Sequence, residues 1–218
     1  MRRIPPPSGA ESKACLTRAD MEVWRRMPMM ATLIAQASHS AQSCRYDRNE
    51  LLALNRDAFD QDVTGGWRKL EDAGCELEAA DLIRDWRKVH RAQDPVLYWH
   101  EGQLRADIGQ IPAAIALFRR SYKARQEDQG MGWNLYVDGT IAFLMQDRQA
   151  FAVAKGKLAA LTRPAHFTLE GPDGKPMPVR WPLDMNVFEG LERCWGQPYK
   201  VAYACSKPLR RVTIPDQR

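Results

Sequence analysis

The chain has 218 residues and a mass of 24.9 kDa, with 44% hydrophobic and 27% charged residues, a balance that excludes a disordered chain and is ample for one buried core. The formal charge of +5 invites a nucleic-acid reading, but residues 1–37 hold six basic and three acidic side chains and leave 26 basic against 24 acidic elsewhere. Those are interleaved, as in Arg84-Asp85-Trp86-Arg87, which reads as a solvated helix face and sets specific nucleic-acid binding aside.

The first 26 residues, with Pro5-Pro6-Pro7 followed by Ser8-Gly9, show no apolar periodicity. Residues 27–44 then contain no Asp, Glu, Lys or Arg and directly follow Arg25-Arg26. A basic end, a short apolar core and Ala35-Gln36-Ala37 as an A-x-A cleavage candidate have the order of a secretory signal, too short for a transmembrane span. Residues 1–37 are therefore expected to be a leader, and export to the periplasm is favoured over a cytoplasmic location. Cleavage after Ala37 would remove Cys15 and leave Cys44, Cys75, Cys194 and Cys205. Four cysteines allow three connectivities; pairing sequence neighbours joins Cys44 to Cys75 and Cys194 to Cys205. The alternative is reduced, buried cysteines, and no CxxC spacing points to zinc.

Helical signals follow in order. Asp47 and Glu50 form a capping box before Leu51, Leu52 and Leu54. After the acidic segment 57–66, Thr64-Gly65-Gly66-Trp67 opens a helix that ends at Gly74, and residues 76–88 supply its partner, with Ala79, Ala80, Ile83 and Trp86 on one face. Asp94-Pro95 starts the next helix, Gly109 ends it, and Pro112 sits in the first turn of a helix carrying Ala114, Ile115, Phe118 and Tyr122. Gly74 to Gly109, Ala79 to Ala114 and Ile83 to Phe118 are each 35 residues apart, so the two helical pairs are one unit repeated. A third pair spans 133–145 and a helix capped by Asp147. Residues 165–181, with short extended runs around Gly171-Pro172-Asp173-Gly174, read as a β-hairpin insertion. Glu189-Gly190 and Gly196-Gln197 echo Glu101-Gly102 and Gly109-Gln110 and mark an imperfect fourth pair, and residues 206–218 form a tail.

Gly102, Gly109, Ala114 and Phe118 fall at the small, turn, small and aromatic positions of a tetratricopeptide unit, and the 35-residue offset is close to its period of about 34. The chain resembles that family over residues 60–204, with the first aromatic displaced to Tyr98 or Trp99. The resemblance implies an all-α array of three to four helix-turn-helix pairs with the hairpin as an insertion, in one domain over 38–205. It also implies a concave groove lined by the first helix of each pair, which carries Arg68, Trp99, Gln103, Asp107, Asn134, Val137 and Ile141 as binding residues. Paired lysines and asparagines that would clamp an acidic tail are lacking.

No HExxH or GxSxG motif occurs. His100 and Glu101 are adjacent on a helix and do not face each other, and Arg105 and Asp107 read as a solvated face. The expected function is a non-enzymatic module that binds a protein or peptide, without cofactor or metal. The alternative is an enzyme or small-ligand binder with a pocket between the third pair and the hairpin, near Trp133, Tyr136, Asp138, His166 and Trp181. A wholly structural protein packed on a larger partner is the third reading.

Overall fold

The computed structural model describes residues 44–128, 130–165, 167–170 and 174–206. The leader with its cleavage candidate, the tail beyond 206, His166 and the expected turn at 171–173 lie outside these residues. The described chain is all-α. Its extended structure is one two-residue antiparallel pair, Leu169–Glu170 against Pro176–Met177.

Helix α1 (Arg48–Leu52) starts where Asp47 accepts a hydrogen bond from the Glu50 amide. A π-helical turn, Asp57–Gln61, precedes the short α2 (Arg68–Asp72) and the longer α3 (Glu76–Val89). Gly74, at φ +73°, makes the left-handed turn between α2 and α3 that a Cβ would strain. Asp94 caps α4 (Pro95–Asp107) through the Val96 amide, and Gly109 at φ +77° ends it. Then come α5 (Ile111–Arg120), the single turn α6 (Arg125–Asp128), α7 (Trp133–Leu144) and α8 (Arg148–Ala159), the last capped by Asp147. Helices α9 (Met185–Arg193) and α10 (Tyr199–Ala204) close the described chain. Neighbours in sequence pack together: α2 on α3, α4 on α5, α7 on α8, α9 on α10. Helix α10 also packs on α4, far from it in sequence.

Two apolar cores form, and α4 stands between them. Leu97 and Leu104, two turns apart, join Phe59, Trp67, Leu82, Ile83 and Trp86. Trp99 and Ala106, also two turns apart, join Phe118, Tyr136, Phe143, Phe151 and Phe188. A helix buried on two sides needs apolar residues on both, and α4 confines its polar residues to the strips between them, with His100, Gln103 and Asp107 on one. A further direction holds a buried ionic cluster: Arg87 of α3 binds Glu101, and Arg105 lies 3.7 Å from Glu101 and also binds Asp81. Arg87 and Arg105 are each only 8% exposed. The solvated-face reading of both is therefore corrected. Arg87 also lies 3.9 Å over the Tyr98 ring, so its charge is shared between a carboxylate and an aromatic face.

The two expected cysteine pairs come together, with Cα atoms of Cys44 and Cys75 5.7 Å apart and of Cys194 and Cys205 6.5 Å apart, inside the range a disulfide spans. The first ties the N-terminal segment to the start of α3, and the second ties α9 to α10. No helix among the described residues is long and apolar enough to cross a membrane.

Close helix packing rests on absent side chains at two places. A Cβ on Gly102 would lie 2.7 Å from the Phe118 ring, and one on Gly139 2.1 Å from the Phe188 ring. Phe188 is 1% exposed and held in the larger core, so it has little room to yield. Gly139→Ala is expected to cost about 1–3 kcal/mol, the usual penalty of overpacking, in urea denaturation followed by circular dichroism. Gly156→Ala, where nothing lies within 4 Å of the new Cβ, serves as the control and is expected to be neutral or stabilising.

Candidate functional site

The site begins with a turn that only certain residues permit. The Asn55 side chain accepts from the Ala58 amide at 2.9 Å and opens the π turn, which directs Phe59 and Asp60 into the protein. Single π turns are rare and are found frequently at functional sites. Phe59 stacks on Trp86 with ring centroids 4.8 Å apart. Asp62 then accepts from the amide and hydroxyl of Thr64, and the chain reverses. At Gly66, φ is +52° and a Cβ would sit 1.9 Å from the Phe59 carbonyl oxygen. Glycine there lets the chain fold back onto the π turn and sets Trp67 and Arg68 beside Asp60.

Asp60 is 0% exposed and surrounded by donors. Oδ1 accepts from Trp67 Nε1 at 3.0 Å and faces His100 Nδ1 at 2.7 Å; Oδ2 accepts from Gln61 Nε2 at 2.7 Å and lies 3.4 Å from Arg56 Nη1. Arg68 donates to the Asp60 main-chain oxygen and stacks over Trp67. Burial alone would push this carboxyl up. The hydrogen bond and charge of His100, with the bonds from Trp67 and Gln61, outweigh burial and hold it at about 2. An ionised carboxylate only accepts, so the 2.7 Å contact assigns the imidazole proton to Nδ1. In the neutral ring, Nε2 is then the nitrogen with a lone pair.

His100 forms part of the wall of a cavity of about 240 Å³ between α2, α4 and α10. Helix α2 contributes Trp67, Arg68 and Glu71, α4 contributes Gln103 and Asp107, and α10 contributes Tyr199 and Tyr203. Burial pushes the Asp107 carboxyl up to about 6 against the pull of Lys200, with the charges of Glu71 and Glu76 adding to the rise. Burial likewise raises Glu71, against the opposing charge of Arg68. At the rim, Lys200 of α10 binds Glu76 of α3.

Of the residues expected to line a groove, Arg68, Gln103 and Asp107 meet in this cavity. Trp99 is buried between Phe118 and Tyr136, each 4.5 Å away by ring centroid, and Val137 is also in the core. Asn134 bonds both the amide and the carbonyl of Lys123 at 2.9 Å and so fixes the entry to α7. Ile141 faces a different groove, of about 470 Å³, between α7 and α8 beside Met145 and Val153. The residues of the alternative pocket are separately engaged. Trp133 donates to Ser121 O, Asp138 accepts from Tyr122, and Trp181 donates to Leu161 O. Tyr136 contacts Tyr203, and His166 lies outside the described residues.

Among the described residues, Cys44, Cys75 and Glu78 are a grouping with metal-ligand spacing, their ligand atoms within 4.8 Å of one another. As a disulfide the two cysteines offer no thiolate, so this set suits a metal only when reduced. Sequence reading missed Asp60 and its bond to His100, 40 residues away. The signal present was the rare run Asp60 to Arg68, with two glycines ahead of a Trp-Arg pair. The chain matches no family model, no curated protein and no solved structure.

Asp60→Asn is expected to lower stability by about 3 kcal/mol at pH 7, because it strands the donors gathered around a buried charge. In the wild type the Asp60 contribution is complete above about pH 4 and is lost as pH falls toward 2, since the folded pKa lies below the ordinary 3.8. Urea denaturation between pH 2.5 and 7 checks this: the gap between wild type and variant should close toward the acid end.

Proposed function

We propose that the protein is a binding module built of tetratricopeptide-like helical pairs, with residues 165–181 inserted between the third and fourth, and that it takes one side chain or chain end of a partner into the socket between α2, α4 and α10. The observation that carries this reading is the position of α10. It lies on α4, so Tyr199 and Tyr203 occupy the face along which a through-running peptide would lie. What remains open is a socket of about 240 Å³, the size of one large side chain or a short terminus. The groove between α7 and α8 is larger, but it has no buried charge arranged behind it.

The Asp60–His100 pair favours a second reading, an enzyme or small-ligand binder that uses Nε2 of His100 as a base in the same cavity. Against it, none of the cavity's described wall residues is a serine, threonine or cysteine that such a base would activate.

A peptide library displayed on phage and selected on the full chain tests the binding reading. Selected peptides are expected to share one anchor residue. Their affinity should fall at least tenfold in Gln103→Trp, which fills the socket, and stay unchanged in Met145→Glu on the other groove, with both variants as helical as the wild type. Peptides lost in Met145→Glu and indifferent to Gln103→Trp would overturn the assignment.

The export reading draws support from the two cysteine pairs at disulfide distance. Intact mass of the native protein, before and after reduction and alkylation, is expected to show a chain beginning at Ser38 with four masked cysteines. A chain with five free thiols would place it in a reducing compartment instead.

A further inference from the structure

The socket carries negative charge that its own residues do not balance. Asp60 has Arg68 and His100 beside it, Arg56 binds Asp94 at 2.6 Å, and Glu76 binds Lys200. Glu71 and Asp107 make no ion pair or hydrogen bond among the described residues, although both are partly buried in the socket wall. Arg68 and Lys200 oppose these two charges only across space and form no ion pair with either, so burial in one cavity still raises the energy of both carboxylates. Their displaced titration agrees with that cost.

A second observation is independent of the acidic pair. Tyr199 is 3% exposed and forms part of the same wall, and its hydroxyl has no partner of hydrogen-bonding geometry, with the Gln103 amide as its polar neighbour. A buried hydroxyl left in this state costs about 1–3 kcal/mol unless a ligand engages it. In the neutral form of the His100 ring, Nε2 is a third acceptor, because Asp60 holds the ring proton on Nδ1. Arg68 is already held by the Asp60 main-chain oxygen and the Trp67 ring.

Resting on the socket reading above, we propose that the group it holds is cationic: the ammonium or guanidinium end of a basic side chain, seated against Glu71 and Asp107. His100 and Asp107 are two turns apart on α4, about 10 Å along the axis. That span matches an extended basic side chain together with the peptide group that carries it. With the charged end at Asp107, the peptide N–H comes within reach of His100, whose Nε2 accepts it when the ring is neutral. The aliphatic stem lies along Trp67 and Tyr203, which belong to the same wall.

The test uses three probes of one shape, the N-acetyl methylamides of lysine, norleucine and glutamate, titrated into the full chain while the Trp67 indole and His100 imidazole NMR signals are followed. The lysine probe is expected to shift both signals saturably and to bind at least tenfold more tightly than the norleucine probe. In Glu71→Gln/Asp107→Asn that preference should vanish. The double variant should be no less stable at pH 8, because it removes two unpaired charges, so lost binding cannot be ascribed to unfolding. Equal binding of norleucine, tighter binding of glutamate, or a lysine preference that survives the double variant would overturn the cationic assignment and leave the socket reading standing. If no probe moves either signal, the socket reading itself falls.

Discussion

A single buried negative charge, the carboxylate of Asp60, governs the arrangement of the N-terminal half. Taking a carboxylate out of water costs several kcal/mol unless donors replace the water around it. Here the replacements come from the π turn through Gln61, from α2 through Trp67, and from α4 through His100. None of these elements can shift without stranding the charge. The short α2, only five residues, has too few backbone bonds to persist on propensity alone, and the Trp67 and Arg68 contacts hold its start in place.

Helix α4 converts that local constraint into a global one. It carries His100 toward Asp60, Leu97 and Leu104 into one core, Trp99 and Ala106 into the other, and Glu101 into the ionic cluster with Arg87 and Arg105. The directions around the helix that do not face the cavity are committed to partners. A wall residue such as Gln103 therefore projects from a rigid element, which is what a site of defined geometry requires.

Much of the helical layout was legible in local chemistry. Asp47, Asp94 and Asp147 read as caps and act as caps, and Gly74 and Gly109 read as turn residues and adopt left-handed φ. These signals act within four or five residues, so one sequence suffices to read them. The site is different in kind. Asp60 looked like one member of an acidic, turn-prone segment, and nothing near it announced a histidine 40 residues on. Arg87 and Arg105 looked solvated because charge alternation on a helix normally means exposure. Their burial follows from α3 packing on α4, a contact without a local signature. The return of α10 to α4 was equally invisible, since a six-residue helix carries little pattern and its destination is set by Tyr199 meeting the aromatic core.

That return also bears on how the molecule comes apart. Stacked helical units that touch only their neighbours can fray from an end, one unit at a time. In this chain Lys200 of the last helix binds Glu76, 124 residues earlier, and α10 rests on the helix that separates the two cores. Freeing α10 therefore uncovers the helix between the two cores, which an end unit in contact with its neighbour alone would leave covered. Closing so long a loop is also entropically the slowest contact to establish. The cavity between α2, α4 and α10 is accordingly built from elements more than a hundred residues apart in the chain.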